Sequence, residues 1–221
     1  MFHARFLDGS QFDQPVGKVL CVGRNYAEHA KELNNPVPSK PLIFLKPATS
    51  IVDLHQPFSI PKHFGAVHHE LELALLIGKP LHQASPNACH QAIAGFGLAL
   101  DLTLRAVQEE LKEKRQPWDI AKGFDGACPL SRFIPTQGIE PDFQAEFEMV
   151  RNGKVQQSGN THDMIFSIPE LLSYMSRYFT LQPGDIVLTG TPKGVGPLMA
   201  GDQLSMSLGN RIQFDTAVAD S

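Results

Sequence analysis

Glu70 and Glu72 are spaced as neighbours on one face of a strand, within the run HHELELALLI at residues 68–77. In an extended chain, residues two apart project to the same side. The two carboxylates therefore share a face, while Leu71, Leu73, Leu75 and Ile77 fill the other. Two buried like charges repel and lose hydration. A hard divalent cation removes that penalty; an open strand end in solvent is the plainer alternative. The acidic face continues into Ala74 and Leu76, towards a core. Glu146 and Glu148 repeat the spacing and act as an internal control: their face holds Gln144 and runs into an Asn152-Gly153 turn, which predicts solvent. Asp101 adds a third acid. It ends a strand whose same-face residues are Gly95, Gly97 and Ala99, which leaves room beside it; a helix cap is the alternative. Three carboxylates with waters suit Mg2+ or Mn2+. His68 and His69 precede Glu70, but HHELE is not the HExxH of zinc enzymes and no cysteine cluster is present.

Other residues could do chemistry beside such a cation. His29 and Glu32 are three apart, so one helical face carries both. A carboxylate that fixes an imidazole makes it a usable base for water; an ordinary surface pair is the alternative. Arg105 and Gln108 repeat the spacing on the helix after Asp101, whose Glu109, Glu110, Lys112 and Glu113 read as a solvated face. Lys122, placed beside a metal, would bind a carboxylate or an enolate oxygen; otherwise it would be exposed. The loop GTPKGVG at residues 190–196 is not a Walker loop, having no GK[ST]. It is a simple turn, or one whose backbone N–H groups approach a substrate carboxylate closely.

These groups need a framework, and the rest of the sequence supplies one. The chain has 221 residues, 42% of them hydrophobic, enough for a sizeable core. A single domain over 1–221 is expected, with a short hairpin at 1–16 and the main body at 17–210. Lys+Arg number 19 against 23 Asp+Glu, for a net charge of −4, and no basic run is present, so nucleic acid is not an expected partner. No apolar run approaches the roughly 20 residues that span a bilayer, and MFHARFLDGS lacks the apolar stretch of a secretory signal. Cys21, Cys89 and Cys128 lie far apart and read as reduced, buried thiols of a cytoplasmic protein. With 17 Pro and 18 Gly spread along the chain, many short elements are expected. The pattern predicts strands over 18–22, 42–45, 68–77, 94–101, 186–189 and 203–208. It predicts hairpins within 1–12, at Asp8-Gly9, and over 143–158, at Asn152-Gly153. Helices are predicted over 25–33, 103–115 and 170–178, the last opened by the capping box Ser167-Ile168-Pro169-Glu170. The fold class is α+β, mostly β, on a rolled or sandwiched sheet.

Several stretches together resemble the fumarylacetoacetate hydrolase family, in its short single-domain acylpyruvase and oxaloacetate decarboxylase or tautomerase type. They are VGRNYAEHAKE (22–32), HELE (69–72), GLALDLTLRAVQ (97–108), PWDIAK (117–122), MIFSIPE (164–170) and PGDIVLTGTP (183–192). The resemblance implies a mixed β-sandwich roll, a homodimer, and one Mg2+ or Mn2+ per subunit on Glu70, Glu72 and Asp101. It makes His29 and Glu32 a catalytic dyad on a lid-like helix and puts Lys122 beside the metal. It places Arg24, Arg105, Gln108, Gly190 and Thr191 around a small 2-oxo acid. Larger members have a fourth carboxylate upstream of the histidine; here Cys21-Val22-Gly23 offers none, and water is expected there. The leading expectation is metal-dependent C–C hydrolysis of acylpyruvates through a stabilised enolate, with oxaloacetate decarboxylation as a further activity. The second is isomerisation of oxaloacetate or of a 2-hydroxyhepta-2,4-diene-1,7-dioate-like acid. The third is a metal-binding β-module without catalysis.

Overall fold

The computed structural model describes residues 1–136 and 144–220. A hairpin of β1 (His3–Arg5) and β2 (Gln11–Pro15) leads into β3 (Lys18–Gly23), helix α1 (Ala27–Glu32), β4 (Leu42–Pro47) and β5 (Ile51–Asp53). Next come β6 (Val67–His69), β7 (Leu71–Ile77), α2 (Pro86–His90), β8 (Ile93–Leu100), β9 (Thr103–Leu104), α3 (Arg105–Glu113) and α4 (Asp119–Lys122). They are followed by β10 (Cys128–Leu130), β11 (Ile134–Pro135), β12 (Glu146–Arg151), β13 (Lys154–Asn160) and α5 (Ile168–Ser176). The chain closes with β14 (Ile186–Leu188), β15 (Gly196–Pro197), β16 (Gln203–Leu208) and β17 (Ile212–Ala217).

Eight strands form one curled, mixed sheet in the order β4-β3-β14-β7-β8-β10-β5, with β11 also on β8. A four-stranded sheet, β13-β12-β16-β17, and a small one, β15-β6-β9, complete a mostly β architecture. The alternation of β7 and β8 explains how the layers separate. Leu71, Leu73, Leu75, Ile77, Phe96, Leu98 and Leu100 enter the larger apolar cluster, which Phe147, Met149 and Met206 of the second sheet complete. Ala74, Leu76 and Ala99, on the opposite face, enter a second cluster with Cys21, Cys128, Leu188 and Phe133. Phe2, Phe6 and Phe12 of the N-terminal hairpin pack against this second cluster. Burial of apolar surface on both faces fixes the register, because a one-residue slip would exchange the two sets.

The structure corrects several sequence expectations. The strand expected over 68–77 is two strands: β6 pairs with β9 and β15, and β7 begins at Leu71 in the large sheet. Glu70 stands where the chain passes from one sheet to the other. Thr103 and Leu104 pair with β6, so the helix starts at Arg105, not Thr103. It ends early because Arg115 turns into the left-handed region (φ 55) and Gln116 N–H donates back to Leu111 O at 2.8 Å. Strands β5, β10 and β17 and helices α2 and α4 were not expected. The hairpin turn at Asn152 (φ 51) and Gly153 (φ 77) has the expected type I′ signs. Phe143, expected to open that hairpin, lies outside the described residues. The three cysteines are free and buried. Among the described residues, no helix is long and apolar enough to cross a membrane.

Candidate metal centre and cleft

Register alone brings the three acids together. In the β7–β8 pairing, Leu71 faces Leu100 and Glu72 faces Ala99, and Asp101 N–H donates to Glu70 O at 2.8 Å. One carboxylate oxygen from each of Glu70, Glu72 and Asp101 lies within 4.8 Å of the others. All three residues are buried. The control pair behaves as predicted: Glu146 is exposed and Glu148 half-buried.

Three cationic side chains answer these acids, but not evenly. Lys122 Nζ donates to Glu70 Oε2 at 2.9 Å and to Asp101 Oδ2 at 2.7 Å. Arg105 Nη2 donates to Glu70 Oε1 at 2.6 Å. Lys46 Nζ, fully buried, lies 2.7 Å from Asp101 Oδ1 and also donates to the carbonyls of Leu102 and Lys122. Glu72 has no ion pair of its own among the described residues; it accepts the Gly190 N–H at 2.6 Å. The consequences diverge. Burial works to raise Glu70, but Lys122 and Arg105 outweigh it and hold the carboxyl well below the ordinary value. Burial, with Asp101 and Glu70 nearby, drives Glu72 well above the ordinary value. Burial alone would lower Lys122, yet Asp101 and Glu70 raise it. A buried carboxylate lacking a counter-charge, between two others, is the donor set a hard divalent cation fits.

Gly190 makes this geometry available. Its φ is +98°, and a Cβ there would meet Asn25 Cβ at 2.7 Å, so a side chain would be both strained and blocked. The N–H groups of this glycine-rich loop serve protein acids: Gly190 donates to Glu72 and Gly194 to Glu32. That differs from the expectation that they approach a substrate carboxylate. Thr191 is similarly engaged, donating to Leu71 O at 2.8 Å and accepting from Gln157 Nε2 at 2.8 Å.

A narrow cleft opens over the acids. Arg24, His29, Glu70, Glu72, Arg105, Gln108, Lys122 and Thr191 all line it, so most of the residues singled out from sequence converge here. Asp101 lies beneath Lys122, and Glu32 lies behind His29, 3.3 Å from its Nδ1. Burial lowers the His29 pKa, partly offset by Glu70 and by the bond to Glu32. Burial thus favours the neutral imidazole, whose Nδ1 lies beside Glu32. Arg105 spends Nη1 on Gln108 Oε1 at 2.8 Å, while its Nε is buried without a partner among the described residues. The Gln108 amide NH2 has none there either.

Sequence reasoning missed three supports. Lys46 is the second cation on Asp101; its signal was a lysine inside the apolar strand LIFLKP. Asn25 clamps the chain before α1: its Nδ2 donates to Thr189 O at 2.9 Å and Phe166 O at 3.0 Å, and its Oδ1 accepts Phe166 N–H at 2.8 Å. Gln157 joins β13 to the site, its Oε1 accepting Leu71 N–H at 2.9 Å and lying 2.8 Å from His69 Nδ1. Lys112, read as solvated, is half-buried in the cleft wall instead. Trp118, reaching the wall from beyond the end of the helix, holds its ammonium over the indole ring.

Comparison with known proteins adds independent findings. The profile described as fumarylacetoacetate (FAA) hydrolase C-terminal matches residues 18–218. Oxaloacetate tautomerase YcgM of Escherichia coli (strain K12) is 51% identical over 208 residues, 94% of this chain and 95% of its own. The mitochondrial oxaloacetate decarboxylase of Dictyostelium discoideum is 42% identical over 210 residues, 93% and 96% of the two chains. A crystal structure of fumarylpyruvate hydrolase from Pseudomonas aeruginosa, in complex with Mn2+ and pyruvate, superposes with a TM-score of 0.91 at 31% identity. That alignment covers 99% of this chain and 95% of the other.

Proposed function

We propose that this chain, which belongs to the fumarylacetoacetate hydrolase family of enzymes, interconverts the enol and keto forms of oxaloacetate with a divalent cation. The carrying observation is that Glu70, Glu72, Lys122, Arg105 and Gln108 line one cleft, with Asp101 beneath Lys122. Charge balance narrows the substrate. The three carboxylates are matched by Lys46, Lys122 and Arg105, and Arg24 and Lys112 also line the cleft. A bound divalent cation therefore leaves the site positive and favours an anionic 2-oxo acid, a dianion over a monoanion.

In this reading Glu70, Glu72 and Asp101 hold Mg2+ or Mn2+. Once bound, the cation supplies a Lewis acid for the 2-oxo acid's oxygens and for the charge of the enolate. Arg105 and Gln108, which line the cleft, orient the substrate carboxylate. Lys122, kept protonated by Asp101 and Glu70, donates towards the enolate oxygen. His29 Nε2 moves the proton between C3 and the enol oxygen, with Glu32 fixing the ring. Loss of CO2 from oxaloacetate passes through the same enolate, so decarboxylation belongs to the same device.

This reading overtakes acylpyruvate hydrolysis because the relatives named for oxaloacetate are 51% and 42% identical. The hydrolase reading draws on a 31% identical structure and on the His29–Glu32 dyad, which suits activation of water. The decay of enol absorbance in fresh oxaloacetate, followed with and without Mg2+, tests the proposal. Cation-dependent acceleration beyond buffer supports it. No acceleration, together with pyruvate release from acetylpyruvate, would return the hydrolase reading to first place.

A further inference from the structure

We propose that Lys112 receives the distal carboxylate of a 2-oxo dicarboxylate and so sets the cleft's preference for dianionic over monoanionic ligands. This inference rests on the 2-oxo acid reading above and gives Lys112 a role that reading does not assign.

Placement carries the inference. Arg105, Gln108 and Lys112 fall at i, i+3 and i+7 of α3, one face of the helix. Lys112 is therefore about 6 Å further along the axis than Gln108, on the scale of a short diacid. It lines the same cleft as Glu70 and Glu72. Its ammonium lies 5.5 Å from the centre of the Trp118 ring. Trp118 meets Phe44 edge-on at 6.0 Å, and Phe44 in turn lies under Lys122 Nζ at 4.9 Å. One aromatic pair thus carries a lysine at each end: Lys122 beside Phe44 and the acids, Lys112 beside Trp118.

The electrostatics point the same way. Lys122 and Lys46 are paired with buried acids, and Lys114, just past the end of α3, is paired with Glu110. Lys112 makes no ion pair among the described residues. Of the acids that act on it, Glu70 is already engaged by Lys122 and Arg105, and Glu109 is exposed. Its cationic neighbours are Arg105 and Arg24, and burial with their repulsion lowers its pKa. Arg24 itself holds a left-handed backbone (φ 62) at the cleft, a conformation uncommon for a non-glycine residue. A half-buried ammonium kept among like charges, without a protein anion, is arranged for an anion that arrives.

Calorimetric titration of the Mg2+-loaded protein with 2-oxoglutarate and 2-oxopentanoate tests this, because the two ligands differ only at the distal end. The native protein is expected to bind 2-oxoglutarate about tenfold more tightly, the scale of one charge-assisted hydrogen bond. Lys112→Gln should bring that preference to within about twofold, leave 2-oxopentanoate binding unchanged, and be rescued by Lys112→Arg. A native protein without the preference overturns the inference. So does a Lys112→Gln variant that keeps it, or one that weakens both ligands equally, as lost packing would. A lost preference in a protein that does not accelerate oxaloacetate tautomerisation upholds the inference and removes the activity reading. Tautomerase activity with the preference intact in Lys112→Gln does the reverse. If neither ligand binds, the inference falls, and the activity reading is decided by the enol-decay assay.

Discussion

Glu32 and Gly194, 162 residues apart, are joined: the Gly194 N–H donates to both carboxylate oxygens of Glu32, at 3.0 and 3.2 Å. The same carboxylate lies 3.3 Å from His29 Nδ1. The ring is thus referenced to the glycine-rich loop that also supports Glu72. Glu32→Gln keeps an acceptor for Gly194 but removes the charge. The expected result is a fall in kcat of about 100-fold with little change in KM. Glu32 works to raise the His29 pKa against burial. The rising limb of the pH–rate profile, which marks neutral His29, therefore lies below the ordinary histidine value and moves lower still in the variant. An unmoved limb with full turnover removes His29 as the base.

Glu72 is the acid whose own counter-charge is missing. Its raised pKa means that the cation-free protein loses stability as pH rises from the ordinary carboxylate value through the raised one. Glu72→Gln should melt higher than the native protein at pH 8 without metal, by about 2–4 °C for each kcal/mol relieved. It should also lose the stabilisation that Mg2+ gives the native protein. Melting curves with and without Mg2+ check both halves; a variant still stabilised by Mg2+ refutes the ligand assignment.

Lys46 is buried between Asp101 and two carbonyls. Lys46→Met preserves the volume but leaves a buried carboxylate with one cation fewer. A loss of about 3–5 kcal/mol in urea unfolding is expected without metal. Mg2+ should restore part of it, since the added cation takes up the exposed charge. An unfolding midpoint unchanged from native would show that Lys122 alone suffices for Asp101.

Asn25 holds three backbone groups, two on the segment before α5 and one at the end of β14. Asn25→Ala orphans all three and should cost about 2–4 kcal/mol. Turnover should fall more than cation affinity, because the clamp positions α1 and not the acids. Equal losses in calorimetry and in rate would contradict that division.

The acids were legible in the sequence because strand periodicity is local: Glu70, Glu72 and Asp101 need only alternation and one strand pairing. The break between β6 and β7 was not, since a period of two runs through Glu70 unchanged whichever sheet the chain joins. Lys46 escaped notice because its partner comes from a distant part of the chain. Lys112 was misread because a charged helical face looks solvated until the segment that covers it is known, and Trp118 arrives from beyond the helix end. The choice among enolate reactions was not legible either: hydrolysis, decarboxylation and tautomerisation need the same groups in nearly the same places.

Helix α1 has six residues, too few to hold its shape unaided. Glu72 stands on β7, Glu70 just before it and Asp101 just after β8, beside the middle strands of the large sheet. The shape of α1 therefore depends on what it is tied to: the Asn25 clamp before it and the Glu32–Gly194 contact at its end. On the proposed reading, loosening those ties would silence turnover while the acids on the sheet still captured metal.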